Sequence, residues 1–216
     1  MKENKVSLVM ASMCLEPLYL IRGEMQLPMW TMMPGMVNFV LTYAYDWGPK
    51  ELGWGLAVCY VCAAWYYDVL VFSPLMLATV WYDQVVQTVP TMKNSFVAGM
   101  YAVNFVVIPW YIGSDAPFPT WLVVAYLIRV MAFELHDDVL DIAEDRPTQR
   151  QTLATQLGEP PSLWLVMGLL CVSGWRRTAS VWRWQTLFDA LLMFTHPQHA
   201  LGRGWVLTLG TFLEFG

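Results

Sequence analysis

The sequence predicts an all-α protein that lies in a membrane as a multi-helix bundle, and three observations support this fold class. Of the 216 residues, 57% are hydrophobic and only 13% are charged, whereas soluble domains are about 45–50% apolar and about 25% charged. Several stretches lack charge over the length of about 20 residues that a helix needs to cross a bilayer. The chain also carries 12 Trp, 10 Tyr and 10 Phe, which a membrane accommodates more easily than a soluble core. We therefore expect a multi-pass integral membrane protein that contacts lipid.

The apolar stretches predict about six or seven membrane-associated helices. Residues 52–82 are interrupted only by Asp68 and are too long for one straight span. We expect two helices there, parted near Asp68 or at Ser73 and Pro74. The other predicted segments are residues 25–45, 94–114, 116–135, 160–175 and 186–200, and residues 205–215 are apolar but too short to span a membrane alone.

The whole chain, residues 1–216, is predicted to form a single membrane-embedded helical domain, with residues 1–24 as a tail or an interfacial segment. Lys2 and Lys5 precede a short apolar run that has no clear small-residue cleavage site, so no signal peptide is predicted. The net charge of -5 and the lack of a basic stripe exclude nucleic acid as an expected partner. The alternative is a large soluble helical enzyme, because several segments are shorter than about 17 residues.

Cys59 and Cys62 form a CxxC pair inside an apolar stretch, without a second pair at zinc-finger spacing. Free cysteines are most often small buried hydrophobic residues. We therefore expect these two thiols to pack in the interior rather than to bind a metal.

One segment concentrates the acidic residues. Six of the 17 acidic residues lie between Glu134 and Asp145. On a helix, Asp138, Asp141 and Asp145 occupy positions i, i+3 and i+7 and share one face. Their mutual repulsion is relieved by a divalent cation, and hard oxygen ligands suit Mg²⁺, which usually completes its shell with substrate phosphates. The pattern therefore predicts a magnesium site that binds a diphosphate.

Basic residues follow this cluster directly. Arg146 and Arg150 flank Thr148, and Thr152 follows; guanidinium groups match phosphate oxygens in geometry and charge. This favours diphosphate recognition. The alternative is a solvated acidic loop that is neutralised by its own arginines.

A second candidate lies upstream. Asp83 and Gln87 are one helical turn apart at the end of an apolar stretch, and Lys93 follows Pro90. Asp83 is predicted to hold a second Mg²⁺ that faces the first. The alternative is an ordinary helix end at the membrane interface.

The run from Asp138 to Gly158 resembles the second aspartate-rich motif of the UbiA superfamily of intramembrane prenyltransferases, roughly DxxDxxGDRxxGxxTLPxxLG. The spacing matches without a gap, but Glu144 and Gln149 replace glycines and Ala154 replaces a proline. Residues 83–87 are similar to the first motif of fungal members, although its usual continuation is missing, and residues 188–196 are similar to a late helix of those members.

The resemblance implies a membrane helical fold, normally of nine spans, so a chain of 216 residues implies missing spans or half-spans. It also implies Mg²⁺-dependent ionisation of a prenyl diphosphate and transfer of the prenyl group to an aromatic acceptor. Some fungal relatives instead cyclise farnesyl diphosphate. Catalytic roles fall on Asp138, Asp141 and Asp145, which with Asp83 would bind the metals. The residues expected to bind the substrate are Asp83, Gln87, Lys93, Arg146 and Arg150.

Two other interpretations stay open. Asp137, Asp138 and Asp141 form a literal DDxxD, which resembles the first motif of soluble polyprenyl diphosphate synthases and class I terpene synthases. Those enzymes carry a second aspartate motif far downstream, whereas only Asp189 and Glu214 follow Glu159 here. The other interpretation is a truncated, catalytically inactive member that acts as a membrane scaffold.

Overall fold

The computed structural model describes residues 25–38, 53–73, 90–147 and 151–174, and within these ranges the chain is helical and contains no strand. The all-α prediction is therefore confirmed for the described residues. They divide into two compact units, an N-terminal one that ends at Pro119 and a C-terminal one that begins at Thr120. The predictions for residues 1–24, 186–200 and 205–215, and for Asp83, Gln87 and Arg150, lie outside the described residues.

The N-terminal unit starts with a 3₁₀ turn at Met29–Met32, which continues as a helix over residues 33–38. Helix α1 spans Gly53–Tyr66 and is followed by a 3₁₀ turn at Leu70–Phe72. Between them Asp68 has a φ of 57°, a left-handed conformation that Asp tolerates better than most residues. The predicted interruption near Asp68 is thus where the first helix ends.

The next helical stretch is continuous from residue 90 to residue 113. It consists of α2 (Pro90–Ala102), a π-helical segment (Val103–Val107) and α3 (Ile108–Gly113). Proline is well suited to the first position, because its missing N–H would lack a helical partner there anyway. Among the described helices, Met92–Gly113 alone is long and apolar enough to cross a membrane. It coincides with the segment predicted at residues 94–114.

The core of the N-terminal unit joins α1 to this long stretch. Tyr60 and Ala64 of α1 pack with Met100, Ile108 and Val69 in one buried cluster. The outer side of α1 carries the two cysteines, which are exposed rather than buried. The prediction of interior thiols was therefore wrong, because a helix that is apolar all around gives no signal of which face packs inward.

The C-terminal unit consists of α4 (Thr120–Asp145), α5 (Leu153–Leu157) and α6 (Glu159–Gly174). The 26 residues of α4 correspond to a length of about 39 Å at about 1.5 Å per residue. One side of α4 packs along α6, and α5 packs against both. Their shared buried cluster contains Ala132, Leu135, Val139, Ile142, Ala154, Leu163, Val166 and Leu170.

Local hydrogen bonds fix the connection that follows α4. Thr152 caps α5 reciprocally with Thr155: the Thr155 N–H donates to the Thr152 hydroxyl over 3.2 Å, and the Thr152 N–H donates to the Thr155 hydroxyl over 2.9 Å. Gly158 then separates α5 from α6 with a φ of 83°, a conformation that favours glycine. The Ser162 hydroxyl donates to the Gly158 carbonyl over 2.7 Å. The chain is thereby turned so that α6 can run back along α4.

Candidate functional site

The acidic end of α4 is helical throughout, so the predicted shared face exists. At 3.6 residues per turn, Asp138, Asp141 and Asp145 lie within about 60° of one another around the helix axis. The rise between the first and the last is about 10 Å, so Asp141 can share an ion with either neighbour but one ion cannot reach all three. The backbone therefore presents two overlapping carboxylate pairs, Asp138 with Asp141 and Asp141 with Asp145.

Asp138 and Asp145 are buried more deeply than the other acidic residues of the segment whose side chains the structure describes. Asp138 is 3% exposed and Asp145 is 7% exposed, whereas Asp141 is half-buried and Asp137 is exposed. Charged residues are rarely buried to this extent unless they are paired, and both buried aspartates interact with other groups of the protein. The predicted metal-binding face is thus the inner face of the helix end, not a solvated loop.

The position of Asp145 in the last turn of α4 adds an electrostatic cost. The unpaired carbonyls of the last turn carry a partial negative charge, which disfavours carboxylates and favours cations. The last turn of α4 contains no basic residue. Like charges one turn apart repel each other as well. A divalent cation on this face would be attracted both by the helix C-terminus and by the neighbouring carboxylates.

The residues expected to bind phosphate lie in different units of the protein. Arg146 is exposed in the turn after α4, where its N–H donates to the Ile142 carbonyl over 3.1 Å. Lys93 is half-buried on α2, in the N-terminal unit, where it interacts with other groups. The Thr152 hydroxyl serves the helix cap described above, which gives this threonine a structural role. The structure therefore brings Asp138, Asp141 and Asp145 together and sets Arg146 beside them.

The donor set suits magnesium only if a second ligand completes the shell. Among the described residues, no group of three or more His, Cys, Asp or Glu side chains could hold a metal ion by itself. Mg²⁺ commonly uses one or two carboxylates and takes its other ligands from waters and substrate phosphates. A pair such as Asp138 and Asp141 meets that requirement, so these residues fit a Mg²⁺ that is held jointly with a diphosphate.

Sequence reasoning missed two buried polar residues on the other side of α4. Arg129 is 0% exposed and its guanidinium lies 5.2 Å from the centre of the Phe133 ring, a favourable cation–π distance. His136 is 1% exposed and, seven residues after Arg129, lies on the same face. An ionisable residue inside an apolar segment is itself a signal of function, and Arg129 within residues 116–135 provides it.

Comparisons of the chain with family models, with curated proteins and with solved structures give no match. The resemblance to the UbiA superfamily therefore depends on the motif residues alone, chiefly those between Asp138 and Gly158. Membership of that superfamily stays a prediction.

Proposed function

We propose that this protein is an integral membrane enzyme that binds a prenyl diphosphate together with Mg²⁺ and transfers the prenyl group to an acceptor, most simply an aromatic one. The observation that carries the proposal is the pair of buried aspartates, Asp138 and Asp145, which flank Asp141 on one face at the C-terminal end of α4. Carboxylates one turn apart on one face, the last of them at the helix C-terminus, attract a divalent cation.

The outward faces of two helices support the membrane environment. On α1, Val58 is 62% exposed and Trp65 is 73% exposed, and no residue of that helix is charged. On α6, Trp164 is 56% exposed and Val172 is 61% exposed, and Glu159 is the one charged residue, at the first position. Soluble proteins rarely expose apolar patches of this kind. Lipid is the surrounding that makes such faces favourable.

The chain's own residues would divide the work at the site. Asp141, paired with Asp138 or with Asp145, would hold the cation and, through it, the diphosphate, while Arg146 and Arg150 would donate hydrogen bonds to phosphate oxygens. When bound, Mg²⁺ supplies the positive charge that stabilises the departing diphosphate. Aromatic rings and the apolar core exclude water from the allylic cation, and a ring within about 6 Å stabilises it by about 0.5–2 kcal/mol.

The proposal is tested with detergent-purified protein that is incubated with farnesyl or geranylgeranyl diphosphate and Mg²⁺. We expect Asp141→Ala to lower diphosphate release by about 100-fold or more, the scale seen when one group that stabilises transition-state charge is removed. The matched control is Asp137→Ala, which removes the same charge from an exposed position on the same helix. It should keep release within about twofold of the wild type, because exposed carboxylates contribute little.

Equal release by the wild type and Asp141→Ala, at the background rate, would contradict the enzyme proposal and favour an inactive scaffold. The products of the same assay separate the two catalytic alternatives. A prenylated aromatic compound indicates transfer, whereas a hydrocarbon formed without any acceptor indicates a UbiA-type terpene cyclase.

A further inference from the structure

Two polar side chains lie in the apolar core of the N-terminal unit with an atom that has no hydrogen-bond partner. Tyr60 is 3% exposed and Asn104 is 4% exposed. Within the described part of the protein, the Tyr60 hydroxyl and the Asn104 Oδ1 make no hydrogen bond. Because a buried polar atom without a partner loses its hydration and gains nothing in return, such atoms are candidates for contact with a ligand or a water.

The two side chains belong to the same region of the unit. Asn104 follows Met100 by four residues and precedes Ile108 by four, so it lies about one turn from each. Met100 and Ile108 both pack in the buried cluster that contains Tyr60. The hydroxyl and the carboxamide are therefore set into one apolar core.

The orientation of the carboxamide follows from its other atom. The Asn104 Nδ2 donates a hydrogen bond of 2.8 Å to the Met100 carbonyl, which only the NH₂ end can do. Oδ1 is consequently the atom left without a partner, and it can accept but not donate. This fixes what a ligand must offer: a hydrogen-bond donor.

The backbone around Asn104 is both irregular and held in place. Val103–Val107 is π-helical, and such segments within helices occur frequently at functional sites. A Cβ atom at Gly35 would collide with the Asn104 carbonyl oxygen, so the segment of residues 33–38 approaches this turn as closely as glycine allows. The carboxamide thus projects from a fixed backbone.

We propose that Tyr60 and Asn104 bind the hydroxyl group of a hydrophobic alcohol or phenol. That hydroxyl donates its hydrogen to the Asn104 Oδ1 and accepts the hydrogen of the Tyr60 hydroxyl, so one group satisfies both atoms. The apolar cluster around them selects a hydrophobic body and disfavours an ion. This binding does not depend on the proposed function.

The test measures dissociation constants of 4-hexylphenol and hexylbenzene for the detergent-purified full chain, without Mg²⁺ and without a prenyl diphosphate. We expect the phenol to bind the wild type about tenfold more tightly than the hydrocarbon. Tyr60→Phe and Asn104→Leu should each weaken binding of the phenol by about 3- to 10-fold and leave binding of the hydrocarbon unchanged. The matched control is Tyr66→Phe, which removes an exposed hydroxyl from the same helix.

Thermal unfolding keeps the proposal falsifiable if a variant folds poorly. Without the phenol, Tyr60→Phe should unfold at the wild-type temperature or above, because its hydroxyl has no hydrogen bond to lose. Equal affinity of the wild type for both compounds would overturn the proposal and show that the two atoms take up internal water only. A lower unfolding temperature of Tyr60→Phe would overturn it as well. Loss of diphosphate release with an intact phenol preference contradicts only the proposed function.

Discussion

Asp138 and Asp145 are buried near the C-terminal end of α4. Asp145 lies in the last turn, where the unpaired carbonyls disfavour a carboxylate by about 0.3–1 kcal/mol at a surface and by more when it is partly buried. The spacing predicted their shared face correctly, because the helical period alone determines it. Their burial could not be predicted, since it depends on the elements that pack against α4.

Thr152 illustrates a different limit at the same scale. The sequence analysis gave this residue no role, but its hydroxyl accepts the Thr155 N–H and caps α5. Thr is one of the residues preferred at such a position. The local hydrogen bonds therefore give it a structural role that the spacing of the charged residues did not indicate.

Gly35 gives a prediction at the residue scale. Gly35→Ala should lower stability by about 1–3 kcal/mol, because its Cβ would collide with the Asn104 carbonyl oxygen and the backbone must shift. For a chain of this size that corresponds to a fall in unfolding temperature of about 2–4 °C per kcal/mol.

Gly99→Ala is the matched control, since a Cβ at this position of α2 meets no atom within 4 Å. Alanine is favoured over glycine inside a helix by up to about 1 kcal/mol, so this variant should unfold at the wild-type temperature or above. Thermal unfolding of both variants checks the pair. A fall of equal size in both would contradict the close approach at Gly35.

At the scale of helices, the predictions were best where Pro and Gly mark the ends. Segment 94–114 overlaps the stretch from Pro90 to Gly113 over residues 94–113, and segment 160–175 corresponds to α6. The apolar segment 116–135 and the acidic cluster after it are one continuous helix, α4. No Gly or Pro interrupts that helix, while Pro119 and Pro147 flank it. The change from apolar to charged residues along α4 therefore does not end the helix.

The outward face of α1 gives a prediction at this scale. Cys62 is exposed on that face, so in reconstituted, permeabilised vesicles lipid should shield it from a water-soluble maleimide. A variant that keeps Cys62 as its single cysteine should remain unlabelled in vesicles and become labelled after denaturation, as read by the mass of the protein.

The control introduces Asp115→Cys as the single cysteine, at an exposed position after α3. It should be labelled in vesicles because water reaches it. Equal labelling of both variants in vesicles would contradict the placement of α1 against lipid.

For the whole molecule, the composition predicted the helical class but did not predict how the helices pack. Hydrophobic periodicity is weak in helices that are apolar all around, so it does not reveal which faces meet. Among the described helices, Met92–Gly113 passes both the length and the charge test for a span. The helix α4 is long enough, but its charged residues, among them the buried Arg129, exclude it from that test. The candidate site on α4 consists of such charged residues.

The central claim is that Asp141, paired with Asp138 or with Asp145, holds Mg²⁺ together with a diphosphate. Calorimetric titration with a non-reactive analogue, farnesyl thiodiphosphate, tests it most directly because no turnover is required. We expect binding to the wild type to be at least about tenfold tighter with Mg²⁺ than with EDTA. Asp141→Asn should lose that difference, whereas Asp137→Asn should keep it. Binding that is equally tight with EDTA, or a Mg²⁺ dependence that survives in Asp141→Asn, would contradict the claim.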